Sequence, residues 1–327
     1  MSLSAGYWRS LALIGFAIGA PAAAGYAGFL AFQQVTSGDT TWSWPPLAVA
    51  VAACVAQVVV LAGAWGCCLR AVRPPLDLRR AAVIHSFSLG WLARYLPLPS
   101  ISPAGKLVVG LRAGYPPALV TAALVYQQVT QFLGVLLVPG FVLAAVLGLE
   151  RLWLLPVIAA AITGGVAATV SLTSSGLLQR AALSLKIGGA HDLGRVTPPA
   201  LFPPTILYVA GSLLACLSFH SVAVAVSSWP ADAVGRSVFI FSTASAIGYL
   251  VPFLPSGAGV REGVILALLG PEIGTSAALT VAISARAVAV LVDSGLGALL
   301  GLHYVLAALR SRLRASRLPA NVANRSA

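Results

Sequence analysis

The sequence predicts an all-α polytopic membrane protein, with about six full spans and two broken or re-entrant helical segments in an inverted repeat. Three observations predict it. Apolar residues fill 59% of the 327 positions and charged residues only 9%, with a mean hydropathy of +0.93; soluble chains carry about 25% charged residues. Apolar runs of about 20 residues, enough to cross a hydrocarbon core of about 30 Å, recur along the chain. Two further apolar stretches are interrupted by Pro, Gly and Ser and look like copies of one another. The 32 Gly and 21 Pro fit this class, because membrane helices tolerate both better than soluble ones.

The spans are expected at Leu11–Phe32, Leu47–Leu69, Ala118–Val138, Leu152–Leu172, Leu201–Val226 and Ala277–Ala308. Trp8, Trp42, Trp44, Trp153 and Trp229 fall near these ends, where amphipathic rings favour the headgroup layer. Val138-Pro139-Gly140 is expected to kink or end the third span, leaving Phe141–Leu149 as a short extra turn. Leu11–Phe32 is too long for a signal peptide and lacks a convincing small-residue cleavage site.

Charge sets the orientation. Arg9, Arg70, Arg73, Arg79, Arg80, Arg180, Lys186, Arg195, Arg310, Arg312, Arg314, Arg317 and Arg325 fall on one side of these spans. The other side has Arg151 and Arg236, beside Asp39, Glu150 and Asp232. Positive charge stays inside, so both termini are expected to be cytoplasmic, in the plasma membrane. The net charge of +12 is thus membrane-flanking, and no nucleic-acid partner is expected. Cys54, Cys67, Cys68 and Cys216 have no ligand spacing, and the four His are scattered, so no metal or cofactor is expected. One transmembrane domain is expected over 1–308, with repeats at about 81–149 and 238–308, followed by a basic tail over 309–327.

The two interrupted stretches are Ala81–Arg112 and Val238–Gly270. Each has two apolar halves too short to span alone, and unwound backbone between such halves must be buried in protein or face a water-filled cavity. An offset of about 158 aligns Leu96-Pro97 with Leu254-Pro255, Gly105 with Gly263, and Leu111 with Leu269. By the charge count, the span after the first copy leaves the cytoplasm and the span after the second returns to it. Inverted repeats with interrupted helices place a polar site near the midplane.

The second break, Pro255-Ser256-Gly257-Ala258-Gly259-Val260-Arg261-Glu262-Gly263, carries the densest information. Gly257 and Gly259 let the backbone turn sharply and approach a ligand. The unpaired N–H groups of the following helix start, with Arg261, make a candidate anion site. Glu262 either caps that start or pairs with an Arg. A dinucleotide fingerprint is rejected, because the spacing is GxGxxxG and no strand precedes it.

This break, followed by Arg286 and Asp293, resembles the flippase-like transmembrane family of lysylphosphatidylglycerol synthases. The resemblance runs from about Leu47 to Leu306. It departs from the family at Tyr95-Leu96-Pro97-Leu98-Pro99-Ser100, where a Pro-Gly-Gly turn is usual, and at Gln127-Gln128, where the family often has Glu-Arg. The resemblance implies movement of an aminoacylated phospholipid across the membrane, made in the relatives by a separate soluble domain. The chain is expected to be a stand-alone member without the synthase domain, its longest polar stretch being about Thr173–Ala200.

Arg286 and Asp293 lie two helical turns apart, on one face and about 10.5 Å apart along the axis. Charges at that depth cost about 2.5–3.5 kcal/mol each on insertion scales, so both are expected to face the bundle interior, as transport residues or as structural pairs. Gln127, Gln128 and Gln131 either line the cavity or join helices by hydrogen bonds. Lys106 is the candidate phosphate contact of the first break, since Arg94 and Arg112 can snorkel to the interface. The expected substrate-binding set is Gly257, Gly259, Arg261, Glu262, Arg286, Asp293, Lys106 and Gln128. The function expected is a flippase or transporter of a lipid-linked intermediate with an anionic phosphate head, its partner a phospholipid or polyprenyl-phosphate lipid. Two alternatives stand beside it. One is a membrane-embedded transferase, or its non-catalytic subunit, with a base among Glu262, Glu272 and Asp293; the other is a scaffold for a partner enzyme of lipid or cell-envelope synthesis.

Overall fold

A computed structural model describes residues 42–72, 80–92, 101–146, 180, 183–184, 198–249, 257 and 259–316. The described residues form helices, with no strand among them. They comprise α1 (Trp44–Val72), α2 (Arg80–Leu92), α3 (Ile101–Arg112), α4 (Pro117–Val146), α5 (Phe202–Val226, preceded by a 3₁₀ turn), α6 (Val234–Tyr249), α7 (Val260–Ile273) and α8 (Thr275–Ser316). Four are long and apolar enough to cross a membrane: α1, α4 over Pro117–Val135, α5 with its preceding turn, and α8 over Thr275–Leu299. The protein is a helical membrane protein. The expected spans at 11–32 and 152–172 lie outside the described residues, as do the first break at 93–100 and the tail beyond 316.

The remaining four helices are short. α2, α3, α6 and α7 have 13, 12, 16 and 14 residues. At 1.5 Å per residue they reach about 18–24 Å, below the hydrocarbon thickness of about 30 Å. Each interrupted stretch therefore folds as two short helices. α3 ends in a Schellman turn: Tyr115 N–H bonds the Gly110 carbonyl, Gly114 N–H bonds that of Leu111, and Gly114 has φ 84°. Of the two outcomes expected at Val138-Pro139-Gly140, a kink or an end, the helix does not end, because α4 continues to Val146; Pro removes one backbone bond, which membrane helices can satisfy locally.

The helices recur at a fixed offset that extends further than the two breaks suggested. α4 starts at Pro117 and α8 at Thr275, α1 at Trp44 and α5 at Phe202, so both pairs are 158 residues apart. Trp44-Pro45-Pro46 and Phe202-Pro203-Pro204 open the second pair in the same way. Proline fits a helix's first turn because its missing N–H would have no partner there. Among the described helices α1 and α5 make the most extensive packing, and they run antiparallel. Ser43 N–H bonds the Ala225 carbonyl at one end, Cys54 meets Ser218 at 3.1 Å, and Gly211 lies against Leu61 and Gly63 against Leu207 further along.

Packing between the two halves is reciprocal. α2 packs on α8, and α6 on α4. Trp91 Nε1 donates to Asp293 Oδ1 at 2.9 Å, while Tyr249, 158 residues after Trp91, sets its ring 6.0 Å from Phe132. Two core clusters form, each drawn mainly from one half and joined by residues of the other, Tyr208 in the first and Cys54 and Val138 in the second. Trp65, Leu69, Phe87, Leu119, Val120 and Tyr126 fill one, and Phe219, Val222, Ile240, Ile265, Leu269 and Val281 the other.

Membrane helices lack a hydrophobic drive toward one another, so close approach at small residues carries much of their association. At Gly134 of α4 a Cβ would stand 2.7 Å from Tyr208 Cβ and 3.1 Å from its backbone carbon. Gly134→Val should therefore lower the unfolding temperature in detergent by an amount equivalent to about 2 kcal/mol or more. Gly295→Ala, with nothing within 4 Å of the new Cβ, should stay within about 0.5 kcal/mol of the parent. Equal melting of the two variants would contradict this packing.

Candidate functional site

The second break brings its turn, its short helix and α8 together around one carboxylate. Gly257 and Gly259 have φ of 65° and 84°, which a β-branched residue adopts only under strain. Gly257 also packs directly on α6, since a Cβ there would lie 3.0 Å from the Gly248 Cα. Helix α7 then begins at Val260, with Gly259 as its N-cap. Glu262, three residues on, reaches back so that the Gly259 N–H donates to its Oε2 at 2.7 Å. Its other oxygen, Oε1, accepts from Arg286 Nη1 of α8. One carboxylate thus neutralises a helix start and an intramembrane arginine together.

Arg261 leaves that pair and lays its guanidinium over Phe241 of α6, 4.1 Å from the ring centroid. Arg261, Glu262 and Arg286 line a cavity of about 90 Å³. Phe241 and Ile265 complete this side, and Gln57, Cys54, Ser218 and Phe219 close it from α1 and α5. The site lies where both antiparallel helices meet the second half of the chain. Phosphate oxygens entering it would meet two guanidinium groups, those of Arg261 and Arg286.

The other expected site residues lie elsewhere. Lys106 is 2% exposed and outside the cavity lining. Its ammonium donates to Gln127 Oε1 and sits 4.7 Å from the Trp65 ring centroid and 5.1 Å from that of Phe87. Asp293 is 4% exposed, accepts from Trp91, and also lies outside the lining. Phe87 stacks on Trp91 at 5.3 Å, so aromatic rings connect the surroundings of Lys106 and Asp293. Lys106 is thus enclosed by aromatic rings of the first half and does not line the cavity of the second break. Gln128 is exposed, outside the cavity lining, while its neighbour Gln127 is buried. Arg286 and Asp293 have separate partners, Glu262 and Trp91.

Residues the sequence did not single out complete the picture. Gln57 and Ser218 enter the cavity from spans read only as apolar. His220 joins a buried knot in which Ser237 Oγ lies 2.8 Å from both His220 Nδ1 and Trp229 Nε1, with Ala231 O 3.2 Å from His220 Nε2. Trp229 donates, so the Ser237 hydroxyl proton is left for Nδ1 and Nε2–H for the carbonyl. That assignment satisfies a neutral imidazole at both nitrogens. Among the described residues no group of His, Cys, Asp or Glu could hold a metal ion. No family model matches the chain, and no curated protein does.

The two ion pairs of the second half should differ sharply in worth. Arg236 and Glu272, 2.8 Å apart at the open end of the α6–α7 hairpin, are 62% and 37% exposed. Arg236→Gln should cost under about 1 kcal/mol in thermal unfolding. Glu262→Gln strips charge from a partly enclosed pair and from a helix cap, and should cost about 2–3 kcal/mol. Equal costs would mean that Glu262 is solvated like a surface carboxylate.

Proposed function

We propose that the protein moves a lipid, or a lipid-linked intermediate, with an anionic phosphate head between the two leaflets. The observation that carries this reading is the cavity formed by Arg261, Arg286 and Glu262 at the start of a short helix. A phosphate in bare hydrocarbon has no counter-charge, whereas in a site of low effective dielectric a guanidinium 4 Å away contributes about four times what it would in water. The acyl chains stay in lipid while the head passes through protein.

The reading extends to the whole architecture. Four helices recur at an offset of 158, α1 and α5 are antiparallel, and α2–α8 packing mirrors α6–α4 packing. These observations support an inverted repeat in which α2–α3 and α6–α7 are re-entrant hairpins entering from opposite sides. With the expected spans at 11–32 and 152–172 there are six crossings, both termini lie in the cytoplasm, and the membrane is the plasma membrane. Membership of the flippase-like family of lysylphosphatidylglycerol synthases belongs to the same proposal. Against the transferase alternative, Glu262 is the one carboxylate among the described lining residues, and both its oxygens are engaged.

Two measurements test this. Purified protein in liposomes should bring acyl-labelled anionic phospholipid into equilibrium between leaflets without covalent change. Arg261→Gln or Arg286→Gln should slow that movement at least about tenfold, equivalent to about 1.4 kcal/mol. A new lipid species, or unaltered movement in both variants, would defeat the flippase reading. Single cysteines at positions 185 and 315 should label from the cytoplasm, and at 40 and 232 from outside. Labelling of 40 and 185 from one side would remove the inverted topology.

A further inference from the structure

The side of the cavity formed by α1 and α5 holds groups that phosphate binding leaves unused. It presents the Gln57 carboxamide and the Cys54–Ser218 pair, whose sulfur and oxygen are 3.1 Å apart. Gln57 lies near the midpoint of the α1–α5 contact, 158 residues before Ala215, which lines the same cavity. It is half-buried on a membrane helix, and its amide has no hydrogen bond among the described residues. A carboxamide offers two donors and an acceptor, and apolar surroundings penalise leaving them unmet. The cavity that Gln57 lines offers room for a partner to them.

The cavity is also selective in what it lacks. Glu262, the one carboxylate among the described lining residues, gives one oxygen to Arg286 and the other to the Gly259 N–H. Among the described lining residues no carboxylate is left for an ammonium group, which would instead meet Arg261 and Arg286. Phe241, an alternative seat for a cation, already carries the Arg261 guanidinium. Together the walls offer positive charge for a phosphate and neutral hydrogen-bonding groups beside it.

We infer that Gln57 is the specificity-determining contact of this site, reading a neutral hydroxyl-bearing substituent on the phosphate. The cargo is then an anionic phosphodiester lipid with a hydroxylated head, and lipids with amine-bearing heads are rejected. This rests on the flippase reading and narrows it. It also separates the chain from the aminoacylated cargo that its family resemblance implies, because a lysyl head would bring two ammonium groups to a cavity with no open carboxylate.

The test uses the full chain in nanodiscs, with acyl-labelled phosphatidylglycerol, phosphatidic acid, phosphatidylethanolamine and lysyl-phosphatidylglycerol as probes. The parent should bind phosphatidylglycerol at least about tenfold more tightly than either amine-bearing lipid. Gln57→Leu should weaken phosphatidylglycerol binding about five- to tenfold, the scale of one lost hydrogen-bonding group. Its effect on phosphatidic acid, which has no second substituent, should be far smaller. Gln57→Glu keeps the shape and supplies the missing carboxylate, so it should shift preference toward the amine-bearing lipids. That gain cannot come from misfolding. Excess water-soluble glycerophosphoglycerol should compete poorly, and full competition at lipid-like concentration would overturn the assignment to a lipid.

Outcomes separate the two levels. If the parent binds no anionic lipid, the flippase reading fails and the inference falls with it. If the parent binds anionic lipids but Gln57→Leu weakens phosphatidylglycerol and phosphatidic acid alike, or Gln57→Glu leaves preference unchanged, only the role of Gln57 fails.

Discussion

Much of the second half of this molecule depends on the Glu262 carboxylate. It is one acceptor shared between a helix start and an arginine on a neighbouring span. The Gly259 N–H and Arg286 Nη1 each take one oxygen. That arrangement fixes where α7 begins, ties the turn to α8, and leaves Arg261 to settle on Phe241. Intramembrane charge is costly when isolated, so each such residue here organises its neighbours into a partnered arrangement. Asp293 with Trp91, and Lys106 with Gln127, follow the same rule.

The two halves share a scaffold without sharing chemistry. Shifted back by 158 residues, Arg261, Glu262 and Arg286 fall on Pro103, Ala104 and Gln128. Phe241 and Ile265 fall on Val83 and Leu107, which belong to the first half's apolar core. The positions matching the charged residues thus carry no charge in the first half. Lys106 stands about one turn away from them, held between Trp65 and Phe87. Helices that recur at one offset therefore carry different chemistry in the two halves.

Much of the fold was legible in the sequence because apolar length and backbone-breaking residues act locally. The α1, α4, α5 and α8 helices follow from run length, and Gly257 and Gly259 announced the turn that their positive φ values make. The match of α1 with α5 had a signal that went unread, in the paired aromatic-Pro-Pro starts. The site was less legible because its pairings join distant parts of the chain. Glu262 and Arg286 are 24 residues apart, and Trp91 and Asp293 are 202. Gln127 and Gln128 point about 100° apart on one helix, and only the neighbouring Lys106 decides which of them turns inward. Gln57 gave no sequence signal beyond being a polar residue in a span; its meaning comes from the cavity it faces.

The α6–α7 hairpin is fastened at both ends. At its open end Arg236 meets Glu272 at 2.8 Å, and near its tip the backbones of Gly248 and Gly257 touch with no room for a side chain. The exposed ion pair gives way cheaply, so the glycine contact at the tip is the firmer of the two fastenings. Helix α7 also packs on α8 at least as extensively as on α6, with Gly274 alone between the two helices. Arg261, Glu262 and Arg286 therefore sit on one joined frame, and the Glu262–Arg286 contact braces its inner corner.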